Sequence, residues 1–297
     1  MSFSLLQTLP PGLEAALAAL RQRLAGYGRV VVAYSGGVDS ALVAALAVEA
    51  LGENALAITG VSPALAPHLL LEAREQARWL GLAHREVATA ELDDPAYSSN
   101  PAERCYACKR ELHSVLAPIA AAAGGAVVLD GVNRDDLGDH RPGIRAAQDF
   151  GVISPLAELG VDKAAVRQLS RALGLPWWDK PAQPCLASRF PYGEPIRAEG
   201  LRRVADAEDW LRQRGFPALR VRSQGDSARI ELPAERLAEA LQALAAGPLR
   251  QEVLQAFRDL GFTAVGLDLE GLVSGKLNRS LPDSPAVAAA SPASVGA

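Results

Sequence analysis

Cysteine is scarce in this chain. Three residues in 297 make no disulfide framework, and an odd count in a cytosolic setting leaves metal binding, redox chemistry, nucleophilic use or no use at all. Basic runs are missing as well. Lys and Arg number 30 against 34 Asp and Glu, a net charge of -4, so a broad nucleic-acid footprint is not supported and only a local basic groove is left open. No stretch of about 18 apolar residues occurs, and "AALAVEAL" is interrupted by Glu49, so no membrane span is expected. The opening "MSFSLLQTLPPGLEAAL" has neither a charged n-region nor a long apolar core, so no secretory signal is expected. The expected location is the cytoplasm. No internal repeat is seen. What remains is ordinary globular composition, 49% hydrophobic and 22% charged, with enough length for two domains.

Hydrophobic periodicity sorts most of the chain into strands and helices. Residues 11 to 26 have the spacing of an amphipathic helix; "RVVVAYS" reads as a buried strand and "DSALVAALAVEAL" as a helix. "ALAITGVS", "HLLLEAREQARWLGL", "HREVATAEL", "KRELHSVLAPIAAAAGG" and "AVVLDGVN" continue strand, helix, strand, helix, strand. "VDKAAVRQLSRALGLP" is a helix with Asp162 as N-cap, closed by Gly174 and Pro176. The alternation predicts an α/β fold with a parallel sheet and right-handed crossovers, binding ligands at the carboxyl ends of its strands. From about residue 190 the rhythm changes. A helix "EGLRRVADAEDWLRQRGF" precedes a hairpin "ALRVRSQGDSARIELP" that turns at Gln224-Gly225-Asp226. Two more helices and a strand "TAVGLDLEG" follow. The expected organisation is an N-terminal domain at residues 1–188, a smaller α+β domain for substrate or oligomer contacts at 189–279, and a disordered Ala/Ser/Pro tail at 280–297.

"VVVAYSGGVDSALVAAL" carries the strongest chemical signal. A strand runs into Ser35-Gly36-Gly37-Val38-Asp39-Ser40, and a helix begins at once. The glycines let the backbone approach a ligand and turn its amides inward. The helix N-terminus adds partial positive charge, so the turn is an anion cradle. Ser35 and Ser40 add hydroxyl donors. Asp39 is out of place beside an anion unless a cation such as magnesium bridges the two. No GKS or GKT follows, so this is no Walker A loop, and GxGxxG is absent. The bland alternative is a glycine turn capped by Asp39, which would leave both serines and both glycines incidental.

SGGVDS resembles the pyrophosphate-binding loop of the PP-loop ATP pyrophosphatases, which split ATP between its α- and β-phosphates and attach AMP to a substrate oxygen. That superfamily includes GMP synthetase, NAD synthetase and tRNA thiolases. Five further stretches narrow the match: "NPAERCYACKREL", "VLDGVNRDDLGDHRPG", "KPAQPCLASRFPYGEPI", "LRVRSQGDSARIEL" and "VGLDLEGLVSGKLN". Together they resemble LarE, the ATP-dependent sulfur transferase family that makes the nickel-pincer nucleotide of lactate racemase. The resemblance covers roughly residues 10 to 278. It implies a Rossmann-like, adenine nucleotide alpha hydrolase-like domain over 1–188, ATP and magnesium as cofactors, and pyridinium-3,5-biscarboxylic acid mononucleotide as substrate. It also implies a homo-oligomer, a trimer or hexamer; the charge and hydropathy above lead to no expected nucleic-acid or membrane partner.

The resemblance assigns Ser35, Gly36, Gly37, Val38, Asp39, Ser40 and Gly60 to the nucleotide, with Asp39 on magnesium. Asp130, Asn133, Asp135 and Asp136 follow a strand end where magnesium and ATP should lie; some of them are loop caps, Asp135 and Asp136 are favoured, and Asp135 is assigned to the nucleotide. Arg220 and Arg222 alternate along a strand, share one face and suit a nucleotide phosphate; a solvated strand face is the alternative. Cys185, Ser188 and Arg189 carry the sulfur chemistry and substrate contacts, although Arg189 also reads as a surface ion-pair residue. Pro181, Pro184 and Pro191 hold that stretch as a stiff loop. In family members with the matching cysteine alone, its own sulfur is sacrificed and dehydroalanine remains. Cys105 and Cys108 are additional here, as in members with an iron–sulfur cluster, and three thiolates suit a 4Fe-4S cluster with one iron open to an extra sulfide. A redox disulfide, a zinc site short of a fourth ligand and a metal-free helix-start pair are the other readings of the CxxC. His68, His84, His113 and His140 do not cluster in sequence and read as surface or satisfied residues. Trp177 and Trp178 cover a base or pack in the core. Two other functions stay in view. A cluster-bearing tRNA thiolase is disfavoured by the acidic charge. A non-catalytic nucleotide sensor or iron–sulfur carrier is disfavoured by the complete SGGVDS loop.

Overall fold

The computed structural model of the chain describes residues 3–138, 142–273 and 275–280. His140 and the expected tail beyond Ser280 lie outside them. The elements run α1 Pro11–Ala25, β1 Val30–Ala33, α2 Val38–Leu51, β2 Ala55–Val61, α3 Pro67–Trp79, β3 Ala83–Ala88, α4 Pro95–Ser98 and α5 Arg104–Ala122. They continue with β4 Val127–Leu129, α6 Pro142–Asp149, α7 Pro155–Glu158, α8 Lys163–Ala172, α9 Ala198–Arg212, β5 Arg220–Gln224, β6 Ser227–Glu231, α10 Leu237–Ala240, α11 Leu249–Asp259 and β7 Ala264–Leu267. They form two compact units, Met1–Tyr97 with Glu103–Pro184, and Ser98–Ala102 with Cys185–Ala297.

The first unit holds the expected parallel sheet, in the order β3-β2-β1-β4. β1 is central and all four of its residues are buried. Its alternation divides the core. Val30 and Val32 join the cluster formed with α1, α2 and α8, while Val31 and Ala33 face Leu116 and Ala120 of α5. α2 is apolar nearly all round, with every residue from Val38 to Val48 buried except Asp39. A helix of that composition has no amphipathic stripe to slide on, so packing on all sides fixes its N-terminus.

In the second unit the hairpin is as expected. Gln224 pairs with Ser227, which leaves Gly225 and Asp226 as a two-residue turn with Gly225 at φ +56°. β7 joins in parallel beside β6, so the small sheet is mixed. Ser98–Ala102 belongs to this unit: Ile196 N donates to Ser98 O at 2.7 Å and Gly193 N to Asn100 O at 2.9 Å.

Three features differ from the periodicity reading. α5 begins at Arg104, ahead of the apolar pattern, so Cys105 and Cys108 lie on its first turns. α6 and α7 occupy stretches without a helical pattern, each opened by a proline whose fixed φ suits the first helical position. Within "TAVGLDLEG" only Ala264–Leu267 is strand.

His113 of α5 is 1% exposed, and neither ring nitrogen has a hydrogen-bond partner among the described residues. Burial, aided by Lys109, pushes its pKa down from 6.5 to about 4. The native ring is therefore neutral where the unfolded chain takes up a proton, and stability falls as pH drops from 6.5 towards 4. The loss amounts to about 3 kcal/mol over that window. Denaturant melts at pH 7 and pH 4.5 should show a pH dependence shallower by that order in His113→Leu; an equal slope would mean that His113 stays solvated.

Candidate active site

The SGGVDS stretch bridges the carboxyl end of β1 and the start of α2. Gly37 occupies the N-cap position and no described side chain caps the helix, which leaves the first-turn amides to a ligand. The two serines shape the turn from inside. Ser40 Oγ accepts from Ser35 N at 3.3 Å and donates to Gly37 O at 3.2 Å, and the two hydroxyls lie 3.1 Å apart. Gly37 N reaches Ser35 Oγ at 3.3 Å. These are long bonds, easily exchanged for stronger ones to anionic oxygens.

Two lysines without a motif of their own stand at this loop. Lys163, the first residue of α8, ion-pairs with Asp39, whose other oxygen accepts from Asn133 Nδ2 at 3.2 Å. Asp39 thus faces the Lys163 ammonium where magnesium was expected; its carboxylate oxygens, with the Asn133 side-chain oxygen that here accepts from Asp135 N, are hard donors of the kind magnesium takes. Asp135 Oδ2 accepts from Lys163 N at 3.0 Å, while Asp136 and Asp130 cap turns at Asn133 N and Val132 N. Lys180 Nζ donates to Gly36 O at 2.9 Å and pairs with Glu72 at 2.5 Å. Gly60 lies near the end of the neighbouring strand, against Leu112 and Thr89. Trp177 packs edge-on against Trp79, ring centroids 5.3 Å apart, and Arg171 lies 5.0 Å over Trp178.

The sulfur residues divide between the units. Cys105 is exposed and Cys108 half-buried, one helical turn apart on α5 in the first unit. Cys185 opens the second unit with an exposed thiol, and its carbonyl accepts from Ser188 N at 3.0 Å. All three remain thiols, outside any disulfide, the donor chemistry that iron–sulfur ligation needs. Among the described residues no three His, Cys, Asp or Glu side chains are gathered as a metal-ligand group. Beside Cys185, Arg189 is buried and forks onto Glu208 at 2.7 and 3.1 Å, with its third nitrogen on Ser188 Oγ at 2.9 Å. Glu208 is fully buried and also takes Arg212 and the Val221 amide. Burial alone would raise its carboxyl; Arg189 and Arg212 outweigh that and hold it below the ordinary value. Arg222 pairs with buried Glu231 at 2.9 Å and donates to Ser188 O at 2.6 Å. Arg220, half-buried on the same strand, has its pKa lowered by burial and by the neighbouring Arg189 and Arg222.

Two close approaches hold the cradle in place. Gly36 sits at φ +67°, with Ala73 Cβ only 3.0 Å from where its own Cβ would be. Gly131, just after β4, would place a Cβ 2.5 Å from Ser40 N. Gly131→Ala must push that loop off the start of α2. The expected result is at least a tenfold loss of ATP affinity, or about 1.4 kcal/mol, with far-ultraviolet dichroism unchanged. Wild-type affinity by calorimetry would show that the loop yields without moving the cradle.

Comparison with known proteins agrees with this geometry. A family model for NAD synthase matches residues 13–97, the stretch containing the loop. An uncharacterised protein of Synechocystis sp. is 55% identical over 269 residues, 91% of this chain and 99% of that one. The pyridinium-3,5-bisthiocarboxylic acid mononucleotide synthase of Lactiplantibacillus plantarum is 38% identical over 254 residues, 85% of this chain and 90% of that one. A glutamine-hydrolysing GMP synthase component of Methanosphaerula palustris is 29% identical over 180 residues, 55% of this chain and 56% of that one. With that identity to a named synthase over nearly the whole of both chains, this protein belongs to the LarE family of ATP-dependent sulfur transferases, within the PP-loop ATP pyrophosphatases.

Proposed function

We propose that this enzyme inserts sulfur into pyridinium-3,5-biscarboxylic acid mononucleotide during assembly of the nickel-pincer nucleotide. The observation that supports this reading is the backbone anion cradle at Ser35–Ser40 with Lys163 and Lys180 beside it, in a chain 38% identical to a bisthiocarboxylic acid mononucleotide synthase. A carboxylate resists nucleophiles because of its charge. Its oxygen therefore attacks the α-phosphorus of ATP, the α–β bridge breaks, and pyrophosphate leaves with the bonding pair. The loop amides and the α2 N-terminus receive that charge. Asp39 and Asn133 would hold magnesium, which neutralises phosphate charge. A sulfur nucleophile then attacks the acyl carbon, and AMP departs with the former carboxylate oxygen.

Two sulfur routes use this chain's own thiols. Cys105, Cys108 and Cys185 would hold a 4Fe-4S cluster, which supplies a sulfide at its open iron. Alternatively the Cys185 thiolate attacks directly; loss of its Cα proton then breaks the Cβ–Sγ bond, leaving a thiocarboxylate and dehydroalanine. Anaerobic protein with ATP, magnesium and the dicarboxylate nucleotide should release one pyrophosphate and one AMP per thiocarboxylate formed. No pyrophosphate release would overturn the proposal. Cys185→Ala should release pyrophosphate without forming thiocarboxylate. About four irons per chain, lost in Cys105→Ala, select the cluster route; absence of iron with loss of one H2S in mass after turnover selects the sacrificial one.

A further inference from the structure

The Gly36–Gly37 peptide joins the two glycines of the cradle. Neither residue has a Cβ, so rotation of the plane between them meets little steric resistance. The carbonyl and N–H of a trans peptide point opposite ways, so the direction of Gly36 O decides where Gly37 N–H points. α3 supplies a clamp. Its buried residues are Leu69, Ala73, Gln76 and Ala77, and the one polar side chain among them, 6% exposed, donates from Gln76 Nε2 to Gly36 O at 3.1 Å. Because Gly36 O can only accept, the amide turns its NH2 to the loop, and Gln76 Oε1 then accepts from Tyr34 Oη at 2.9 Å. Tyr34 is held in turn: Thr59 Oγ1 donates to Tyr34 O at 2.7 Å. With its only proton so used, the Thr59 oxygen accepts from His84 Nε2 at 2.8 Å. The chain of bonds runs from β3 through β2 and the end of β1 to α3 and the loop.

We propose that Gln76, held by Tyr34, is a positioning residue that pins the Gly36 carbonyl and thereby keeps the Gly37 N–H turned into the loop, where it rests on Ser35 Oγ at 3.3 Å and passes to a phosphate oxygen when one binds. The inference rests on the reading of SGGVDS as the pyrophosphate site. Lys180 donates to the same carbonyl, so loss of Gln76 weakens the clamp without abolishing it.

The test is calorimetric titration of the full chain with magnesium pyrophosphate and, separately, with adenosine. Gln76→Met keeps the length of the side chain and removes its donor. It should lose about tenfold in pyrophosphate affinity and keep its adenosine affinity. Tyr34→Phe, which removes the bond that holds the far end of the amide, should show a smaller loss of the same kind. Pyrophosphate affinity equal to wild type in Gln76→Met, even with a lower melting temperature, reduces Gln76 to packing and overturns the proposal, as does an equal loss for both ligands. Should Gln76→Met not fold, unchanged pyrophosphate binding in Tyr34→Phe overturns it instead. Wild-type protein that binds no pyrophosphate removes the underlying reading of the loop, and this inference with it.

Discussion

On the proposed function, the backbone of residues 35–40 must offer its amides to phosphate oxygens, and the side chains that stand on those amides are the short Ser35 and Ser40 hydroxyls. Other parts of the first unit answer that demand. A ligand site made of peptide groups has no side-chain pieces to adjust, so its accuracy must come from what surrounds it. Gly36 can lie against α3 only because neither Cβ nor an ordinary φ is required there. Gly131 lets the chain after β4 pass against the first turn of α2. α2 itself is locked by burial of almost every side chain. Preorganisation here is a property of the apolar core, expressed at its polar edge.

The second unit solves its problem with charge. Buried Arg189 and Glu208, joined by the part-exposed Arg212, form one group, and buried Arg222 with Glu231 another. Such groups are costly to bury and more costly to break, because a removed partner leaves its mate desolvated. Their value lies in direction. Arg189 and Arg222 both reach Ser188, so the short turn after Cys185 is held by two buried cations while the thiol stays exposed. On either sulfur route proposed for Cys185, that combination of fixed backbone and open side chain is what the step needs.

Much of this was readable from the sequence, and the limits have physical causes. The loop was legible because glycines, serines and a strand-to-helix change of period fall within six residues. The turn at Gly225-Asp226 and the Asp162 cap, which accepts from Ala165 N at 2.8 Å, depend on neighbours a few positions away. Lys163 and Lys180 were not legible, since their partners Asp39 and Gly36 lie more than a hundred positions distant and a lysine looks alike wherever it points. Gln76 reads as the polar side of an amphipathic helix, yet it faces inward. Glu208 is similar: nothing in "ADAEDWLRQ" separates the fully buried acid from its exposed neighbours. α6 and α7 were missed because short helices opened by proline bury too few residues to set up a period.

The segment Ser98–Ala102 bears on connectivity. It lies some eighty positions before the rest of its unit, yet its carbonyls satisfy the amides of Gly193 and Ile196, and Asn100 Nδ2 donates to Pro191 O at 2.7 Å. The chain therefore passes from the first unit to the second, back again, and across once more. No single cut divides such a polypeptide into two complete halves. A fragment starting at Cys185 would leave the Gly193 and Ile196 amides without acceptors, and one ending at Pro184 would carry an orphaned strap just ahead of Cys105. Gene fusion, circular permutation and limited proteolysis all meet the same fact: each unit is compact by itself but the two are interleaved in sequence, and a ribosome finishes neither before it has begun the other.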